Sequence, residues 1–272
     1  MMEQLLFLFV PASRLDRVQK AIDAGASAVI IDLEDTVACD QKDAIRQSLI
    51  QFDDEHECSY WLRINGVSSA DFADDVSMLS KLTGVSGLLL PKCENHLQVQ
   101  MLSQQTHLPI IAMIETPLGV ANIAQIAQSK GLFALSFGCL DLMKGLGVRL
   151  NSQAAGVMFD KIRTDLVIHS AIHGLHPPIE TIYPRFDDES GMMACVQHWL
   201  DFGFGGQLLI HPKQINIAKQ AIAKQDDWKK ATAIWQIFEE TGQMVFACDG
   251  QMVDLPLIIW AAGVLGKTMP AT

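Results

Sequence analysis

Eight short apolar runs recur along this chain, each followed by an amphipathic segment, and nearly every run starts small or apolar and ends in a charged or catalytic-type residue. The runs are Leu5 to Val10, Ala28 to Leu33, Tyr60 to Ile64, Leu88 to Leu90, Ile110 to Ile114, Ala134 to Phe137, Pro178 to Tyr183 and Leu208 to Ile210. At or just beyond their ends stand, in order, Ser13 and Arg14; Asp32, Glu34 and Asp35; Arg63 and Asn65; Lys92; Glu115; Asp141; Glu180 and Arg185; and His211. Eight strand-helix units in series predict an α/β fold of the (β/α)8 TIM-barrel type, in which loops at the C-terminal strand ends build the active site. The polar ends therefore predict a single active-site face.

At 272 residues the chain is close to the ~250 typical of one barrel. Its 49% hydrophobic content can fill both the barrel interior and the layer between strands and helices. Residues 1–215 are assigned to the barrel, and 216–272 to a C-terminal helical extension of the same structural unit. The formal net charge of -11 argues against a nucleic-acid surface, which needs an excess of Lys and Arg on one face. A local basic cluster at Arg14, Arg17 and Lys20 can still hold a small phosphorylated ligand.

The start of the chain has Glu3 and no cationic stretch before its apolar run, so it lacks the charge order of a secretory signal and reads as the first strand. Leu255 to Gly266 is the longest apolar stretch, but it contains Pro256 and falls short of the ~20 residues of a membrane span. A soluble, cytoplasmic protein with no membrane partner is expected. Cys39, Cys58, Cys93, Cys139, Cys195 and Cys248 form no Cys-x-x-Cys pair, which excludes a zinc ribbon or redox motif and predicts reduced, mostly buried thiols.

Helical periodicity places Val18, Ala21, Ile22 and Ala26 on one face of the first helix. In the third, Phe72, Val76, Leu79 and Leu82 share the apolar face, while Asp71, Asp74 and Asp75 are expected to face water. A further helical stretch is expected over 216–242, and a last helix after Pro256.

Glu115 and Asp141 follow the fifth and sixth strands, neighbours in a barrel, so their carboxylates can converge above the sheet. Two carboxylates without His or Cys suit a hard cation such as Mg²⁺, which takes a few carboxylates and fills its other positions with water and substrate oxygens. Alternatively, each carboxylate caps the helix that follows it. Arg63 alternates with Trp61 and so points into the barrel mouth, where it needs an anion: a substrate, or a structural partner in Asp32 or Glu34. The cluster Asp32-Leu33-Glu34-Asp35 can supply an acid-base group, bind metal-bound water, or pair with Arg63 and Lys92. His211 in Ile-His-Pro is either a hydrogen-bonded structural histidine or a base.

Taken in order, Leu8-Phe9-Val10-Pro11-Ala12-Ser13-Arg14, Ile31-Asp32-Leu33-Glu34-Asp35, Leu62-Arg63-Ile64-Asn65-Gly66, Ile114-Glu115-Thr116, Phe137-Gly138-Cys139-Leu140-Asp141-Leu142 and Ile210-His211-Pro212-Lys213-Gln214 resemble the successive signatures of the citrate lyase β-subunit-like family, within the HpcH/HpaI aldolase superfamily. The resemblance extends to Asp249 through Pro256 and so covers nearly the whole chain. It implies a Mg²⁺-dependent lyase acting on a 3-hydroxyacyl thioester such as citryl-, malyl- or citramalyl-CoA, yielding an acyl-CoA and an oxo acid. Glu115 and Asp141 would hold the metal, Arg63 would face the thioester carbonyl or enolate oxygen, and Glu34 and Asp35 would supply acid-base groups. Ser13, Arg14, Arg17 and Lys20 would meet the CoA phosphates, and backbone groups near Phe137 and Gly138 the oxo-acid carboxylate. Asp254 would close a neighbouring subunit's site in a homo-oligomer, a trimer or hexamer.

Ala12, Gln207 and Pro178-Ile179-Glu180-Thr181 stand where the family commonly has glycine, lysine and an aspartate-glycine pair. The last two bear on CoA contacts and substrate preference more than on the metal site. Other functions consistent with the residues are a malyl- or citramalyl-CoA thioesterase, an aldolase for free 2-oxo acids, which needs neither the basic first loop nor Asp254, and a non-catalytic scaffold subunit.

Overall fold

The computed structural model of the protein describes residues 4–149, 152–223 and 227–269. They form two compact units, divided between Lys219 and Gln220. Among the described residues, no helix is long and apolar enough to cross a membrane.

The first unit is a closed barrel of eight parallel strands in sequential order. They are β1 (Leu5–Pro11), β2 (Ala28–Asp32), β3 (Tyr60–Arg63), β4 (Val85–Leu90), β5 (Ile110–Ile114), β6 (Leu132–Phe137), β7 (Ile179–Glu180) and β8 (Gly206–Leu209). Between them run α1 (Val18–Asp23), α2 (Lys42–Glu55), α3 (Phe72–Leu79), α4 (His96–Thr106), the short α5 (Pro117–Ala121) and α6 (Ile123–Ile126), α7 (Cys139–Leu146), α8 (Gln153–His173) and α9 (Glu189–Asp201). α10 (Pro212–Ala223) follows β8. The barrel closes through Leu5 opposite Gly206.

Period-2 alternation sends Phe7, Ile30, Trp61, Leu89, Ile111, Met113, Ala134, Ile179 and Leu208 into the barrel interior, where they form one apolar cluster. Each buried Phe, Ile, Leu or Met side chain among them contributes about 1.5–3 kcal/mol. Two residues further along the same inward rows come Asp32, Arg63 and Glu115, so the strand period that fills the core also delivers the polar groups to its mouth. Asp32 is paired directly with Arg63 in the β2–β3 register, and Ile114 with Phe137 in β5–β6.

Several local expectations are corrected. The seventh strand is only Ile179–Glu180, since Pro178 has no N–H for a ladder and β6 meets β7 through the single pair Ser136 and Ile179. Asp75 does not face water. It is fully buried, its carboxylate accepting from Asn65 N at 2.8 Å, Asn65 Nδ2 at 2.7 Å and Arg46 Nε at 2.8 Å. The backbone N–H that follows β3 needs an acceptor, and meeting it rotates α3 so that Asp75 and Met78 point inward. Of the thiols, all free, only Cys93, Cys139 and Cys248 are buried; Cys39 is exposed.

In the second unit, α11 (Asp227–Thr241) is followed by β9 (Phe246–Cys248), β10 (Gln251–Val253) and α12 (Leu255–Leu265). The stretch 216–242 is helical in α10 and α11, and residues 224–226 within it lie outside the described residues. The antiparallel hairpin β9–β10 was not expected, although Asp249-Gly250 is a hairpin signal: both take positive φ, 48° and 76°, as a type I′ turn requires. Trp235, Phe238, Val253, Ile258 and Ala261 form this unit's own core.

Candidate active site

At the C-terminal end of the barrel lies a cavity of ≈ 260 Å³ lined by Asp32, Asp35, Arg63, Glu115, Gly138 and Asp141, with apolar walls that include Phe9, Met113 and Ile210. The sequence placed most of these groups there from strand position alone.

Arg63 is buried and forked onto Asp32, with Nε 2.6 Å from Oδ1 and Nη2 2.8 Å from Oδ2. Nη1 is left over, 3.2 Å from Glu34 Oε2 and 3.5 Å from Asp35 Oδ2. The guanidinium lies over the Phe9 ring, 4.9 Å from its centroid. Burial works against the Asp32 charge, but the Arg63 fork outweighs it and holds the carboxyl below its ordinary range. Glu34 is different. Burial lifts its carboxyl above the ordinary value despite Arg63 and Lys92 alongside, and among the described residues its Oε2 has the Arg63 ion pair but accepts no hydrogen bond.

Glu115 extends from β5 into the mouth and is 4% exposed. Its Oε1 accepts the backbone N–H of Lys92 at 2.8 Å. Burial first, then repulsion from Glu34, pushes its carboxyl up to about 7. Gly138 lies so close that a β-carbon there would sit 2.3 Å from Glu115 Oε2, so the residue opening α7 has to be glycine for Glu115 to occupy this place. Asp141, in the first turn of α7, is more open, and Lys92 Nζ lies 3.5 Å from its Oδ2.

The helix caps are filled by other groups. Thr116 caps α5, accepting from Gly119 N at 3.0 Å, and Gly138 occupies the cap position of α7. The Gly138 N–H is itself spent on Ile114 O at 3.0 Å, and the Phe137 ring faces away from the mouth, against Arg163 and Phe159. Backbone donors at this point are therefore displaced from Phe137 and Gly138 to the N–H groups of Leu140 and Asp141. These have no hydrogen-bond partner among the described residues, whereas Cys139 N donates to Thr181 Oγ1 at 3.3 Å.

A second groove of ≈ 490 Å³ runs beside the mouth and shares Phe9 and Ile210 with it. Arg14, Arg17, Lys20 and His211 line it; Ser13 is exposed and not among its lining residues. Arg14 is partly committed, forking onto Asp16 at 2.8 Å through both Nε and Nη2. His211 stacks on Phe186, accepts Lys213 N at Nδ1 (3.1 Å), and is held below its ordinary pKa by burial and by Lys213, Arg17 and Lys20.

Residues 5–212, almost the entire barrel, match the HpcH/HpaI aldolase/citrate lyase family. The chain belongs to that family. Within it, the chain is similar to (3S)-malyl-CoA thioesterase of Cereibacter sphaeroides, 31% identical over 96% of this chain and 93% of that one. It is also 30% identical to a citrate lyase subunit beta-like protein of Mycobacterium tuberculosis, over 98% and 96% of the two chains. Among solved structures, the CitE protein of M. tuberculosis in complex with magnesium, acetoacetate and coenzyme A superposes with a TM-score of 0.85 at 29% identity, covering 97% of each chain. The citrate lyase β-like kinship and the TIM barrel read from the sequence are thereby borne out.

This family member carries mouth residues that sequence reasoning left out of the site. Lys92 stood as the polar end of the fourth run and as a pairing partner of the Asp32-Leu33-Glu34-Asp35 cluster; it pairs with Glu34 through Nζ and also contacts Glu115 through its backbone. Thr181 lines the cavity and holds the first N–H of α7. Its signal was available, as it lies two residues beyond the inward-facing Ile179. Gln207 is buried, accepting from Trp199 Nε1 at 3.0 Å and donating to Thr181 O at 3.4 Å, so this departure from the family pattern supports the wall of the mouth.

Proposed function

We propose that this chain is a Mg²⁺-dependent carbon-carbon lyase that cleaves a 3-hydroxyacyl-CoA thioester of the citryl-, malyl- or citramalyl-CoA type into an acyl-CoA and an oxo acid. The observation that carries this is the convergence of Glu115 and Asp141 on one cavity that Arg63 also lines. The donor set fits Mg²⁺: two carboxylates, no nitrogen or sulfur ligand, and one of them, Glu115, so buried among negative charge that a cation relieves it. The magnesium and coenzyme A bound by the M. tuberculosis relative support the same assignment.

When bound, Mg²⁺ supplies a Lewis acid for the oxygen atoms of the oxo-acid half. The remaining work falls to the chain. The N–H groups of Leu140 and Asp141 at the start of α7 receive the oxo-acid carboxylate, as helix N-termini do. Glu34 or Asp35 takes the hydroxyl proton, the carbon-carbon bond breaks, and its electron pair passes to the acyl-CoA enolate. Arg63 stabilises the enolate oxygen through Nη1, the nitrogen not spent on Asp32. An acid then returns a proton to carbon, releasing acyl-CoA. Arg14, Arg17 and Lys20 hold the CoA phosphates along the basic groove, with the exposed Ser13 beside it, and an aldolase for free oxo acids would not need that groove.

A second outcome, hydrolysis of the thioester, is favoured by the 31% identity to a malyl-CoA thioesterase. Incubation with malyl-, citramalyl- and citryl-CoA separates the two: carbonyl product with acyl-CoA marks the lyase, free CoA thiol marks the thioesterase, and neither product rules out both.

The raised Glu115 carboxyl gives a pH dependence. Below about 7 a proton occupies Glu115 and competes with the cation, so Mg²⁺ affinity should fall about tenfold per pH unit there and level off above it. Calorimetry at pH 5.5, 6.5 and 8 checks this, and a flat profile contradicts it.

The same proposal includes a cytoplasmic homo-oligomer, a trimer or hexamer, with a role across subunits for Asp254. Asp254 opens α12 without making a side-chain cap, and its unit leaves Met252, Leu255 and Ile259 exposed. In such a ring Asp254 closes a neighbour's mouth and supplies the returning acid. Mixing Asp254→Ala with Asp141→Asn subunits should then recover part of the activity. Mixed oligomers with no recovery, or a monomer, would overturn this.

A further inference from the structure

The carboxylates of Asp32, Glu34, Asp35, Glu115 and Asp141 crowd the mouth, and the cations facing them are Arg63 and Lys92. Arg63 is fixed. Its fork on Asp32 is buried on both sides, and its Nη1 lies 3.2 Å from Glu34 Oε2 and 3.5 Å from Asp35 Oδ2, so its charge stays with the carboxylates at the end of β2. Lys92 is placed differently. Its side chain is 37% exposed and pairs with Glu34, while Nζ also lies 3.5 Å from Asp141 Oδ2 and 3.8 Å from Asp35 Oδ1. It thus bridges the loop after β2 and the first turn of α7.

The backbone makes this reach possible. Lys92 has φ of 49°, a left-handed conformation that few non-glycine residues adopt and that persists where surrounding contacts over-determine it. Here the contact is the N–H donated to Glu115 Oε1 at 2.8 Å. One residue therefore holds Glu115 by its main chain and Asp141 by its charge.

We propose that Lys92 is the resident counter-cation of the mouth: it neutralises Glu34 and Asp141 in the metal-free chain and, by competing for Asp141, sets how tightly a divalent cation is held. This rests on Glu115 and Asp141 being the metal ligands. The long, half-exposed side chain can retreat toward Glu34 and Asp35 when the cation arrives, keeping a partner in either state. Even after that retreat the ammonium stays within several ångströms of the divalent ion, and such a charge weakens its binding by about tenfold or more with water screening.

The test is calorimetric titration with MgCl₂, without substrate, of the wild-type chain, K92M and K92R. Methionine keeps the stem and the backbone N–H on Glu115 and removes only the charge. K92M should bind Mg²⁺ at least tenfold more tightly, and K92R within threefold of wild type. Equal or weaker binding by K92M would overturn the proposal, making Lys92 a support that Asp141 needs. The rise in unfolding midpoint from chelator to saturating MgCl₂ gives a second reading should K92M be weakly folded: a larger rise than in wild type supports the proposal, and an equal or smaller one overturns it. Adding Asp141→Asn separates the two assignments. Loss of the K92M gain in that double variant is the expected result; tight binding that survives it removes Asp141 as a ligand, whereas no K92M gain in the chain that keeps Asp141, with wild-type binding still dependent on Asp141, removes Lys92 as competitor. No binding by either chain removes both.

Discussion

Asp141→Asn is expected to abolish Mg²⁺-dependent turnover while leaving the fold intact. Asp141 sits at the open first turn of α7, with one ion pair among the described residues, 3.5 Å from Lys92, so an isosteric amide there removes a charge without uncovering a buried partner. Surface changes of this kind usually stay within about 0.5 kcal/mol of stability. A metal polarising the reacting oxygens is worth several kcal/mol, so its loss should lower kcat about a thousandfold. The contrast with Glu115 is informative. Glu115→Gln keeps the bond from Lys92 N but removes the buried charge, so it should bind cation poorly while folding at least as well near neutral pH. Unchanged Mg²⁺ affinity by calorimetry in Asp141→Asn would remove the metal assignment, whatever happens to turnover.

The inward row of each strand explains why so much of the mouth was legible in the sequence. Ile30 to Asp32, Trp61 to Arg63 and Met113 to Glu115 each continue the row by two residues, so period 2 predicts both the core and the polar ring above it. What the sequence hides depends on partners distant along the chain. Asp75 looks like one of several surface aspartates until Arg46, from α2, and Asn65, after β3, claim its two oxygens. Lys92 is harder still, because half of its contribution is a backbone N–H turned by a positive φ that its side-chain identity does not announce. Of the structural partners open to Arg63, Asp32 takes the fork because the β2–β3 register sets those two residues side by side, and Glu34 meets the remaining Nη1. The β9–β10 hairpin is a different case: its Asp249-Gly250 signal was present, but the apolar runs flanking it are too short to stand out.

Arg63→Lys should then lose in two ways at once, and the split between them decides what Arg63 does. Lysine retains the charge but cannot fork, so Asp32 keeps one strong contact instead of two, at a cost of about 1–3 kcal/mol in stability. Nη1 has no counterpart in lysine. If that nitrogen meets the enolate oxygen, the contact is stronger in the transition state than in the ground state, and kcat should fall about a hundred- to a thousandfold with a smaller change in KM. Measuring kcat on the folded fraction, with stability followed separately by denaturant, distinguishes the two. A stability loss with unchanged kcat would leave Arg63 as the partner of Asp32 and nothing more, and the enolate would need another donor in the cavity. Thr181 is the alternative to test next, because its hydroxyl accepts Cys139 N and keeps its own proton to give.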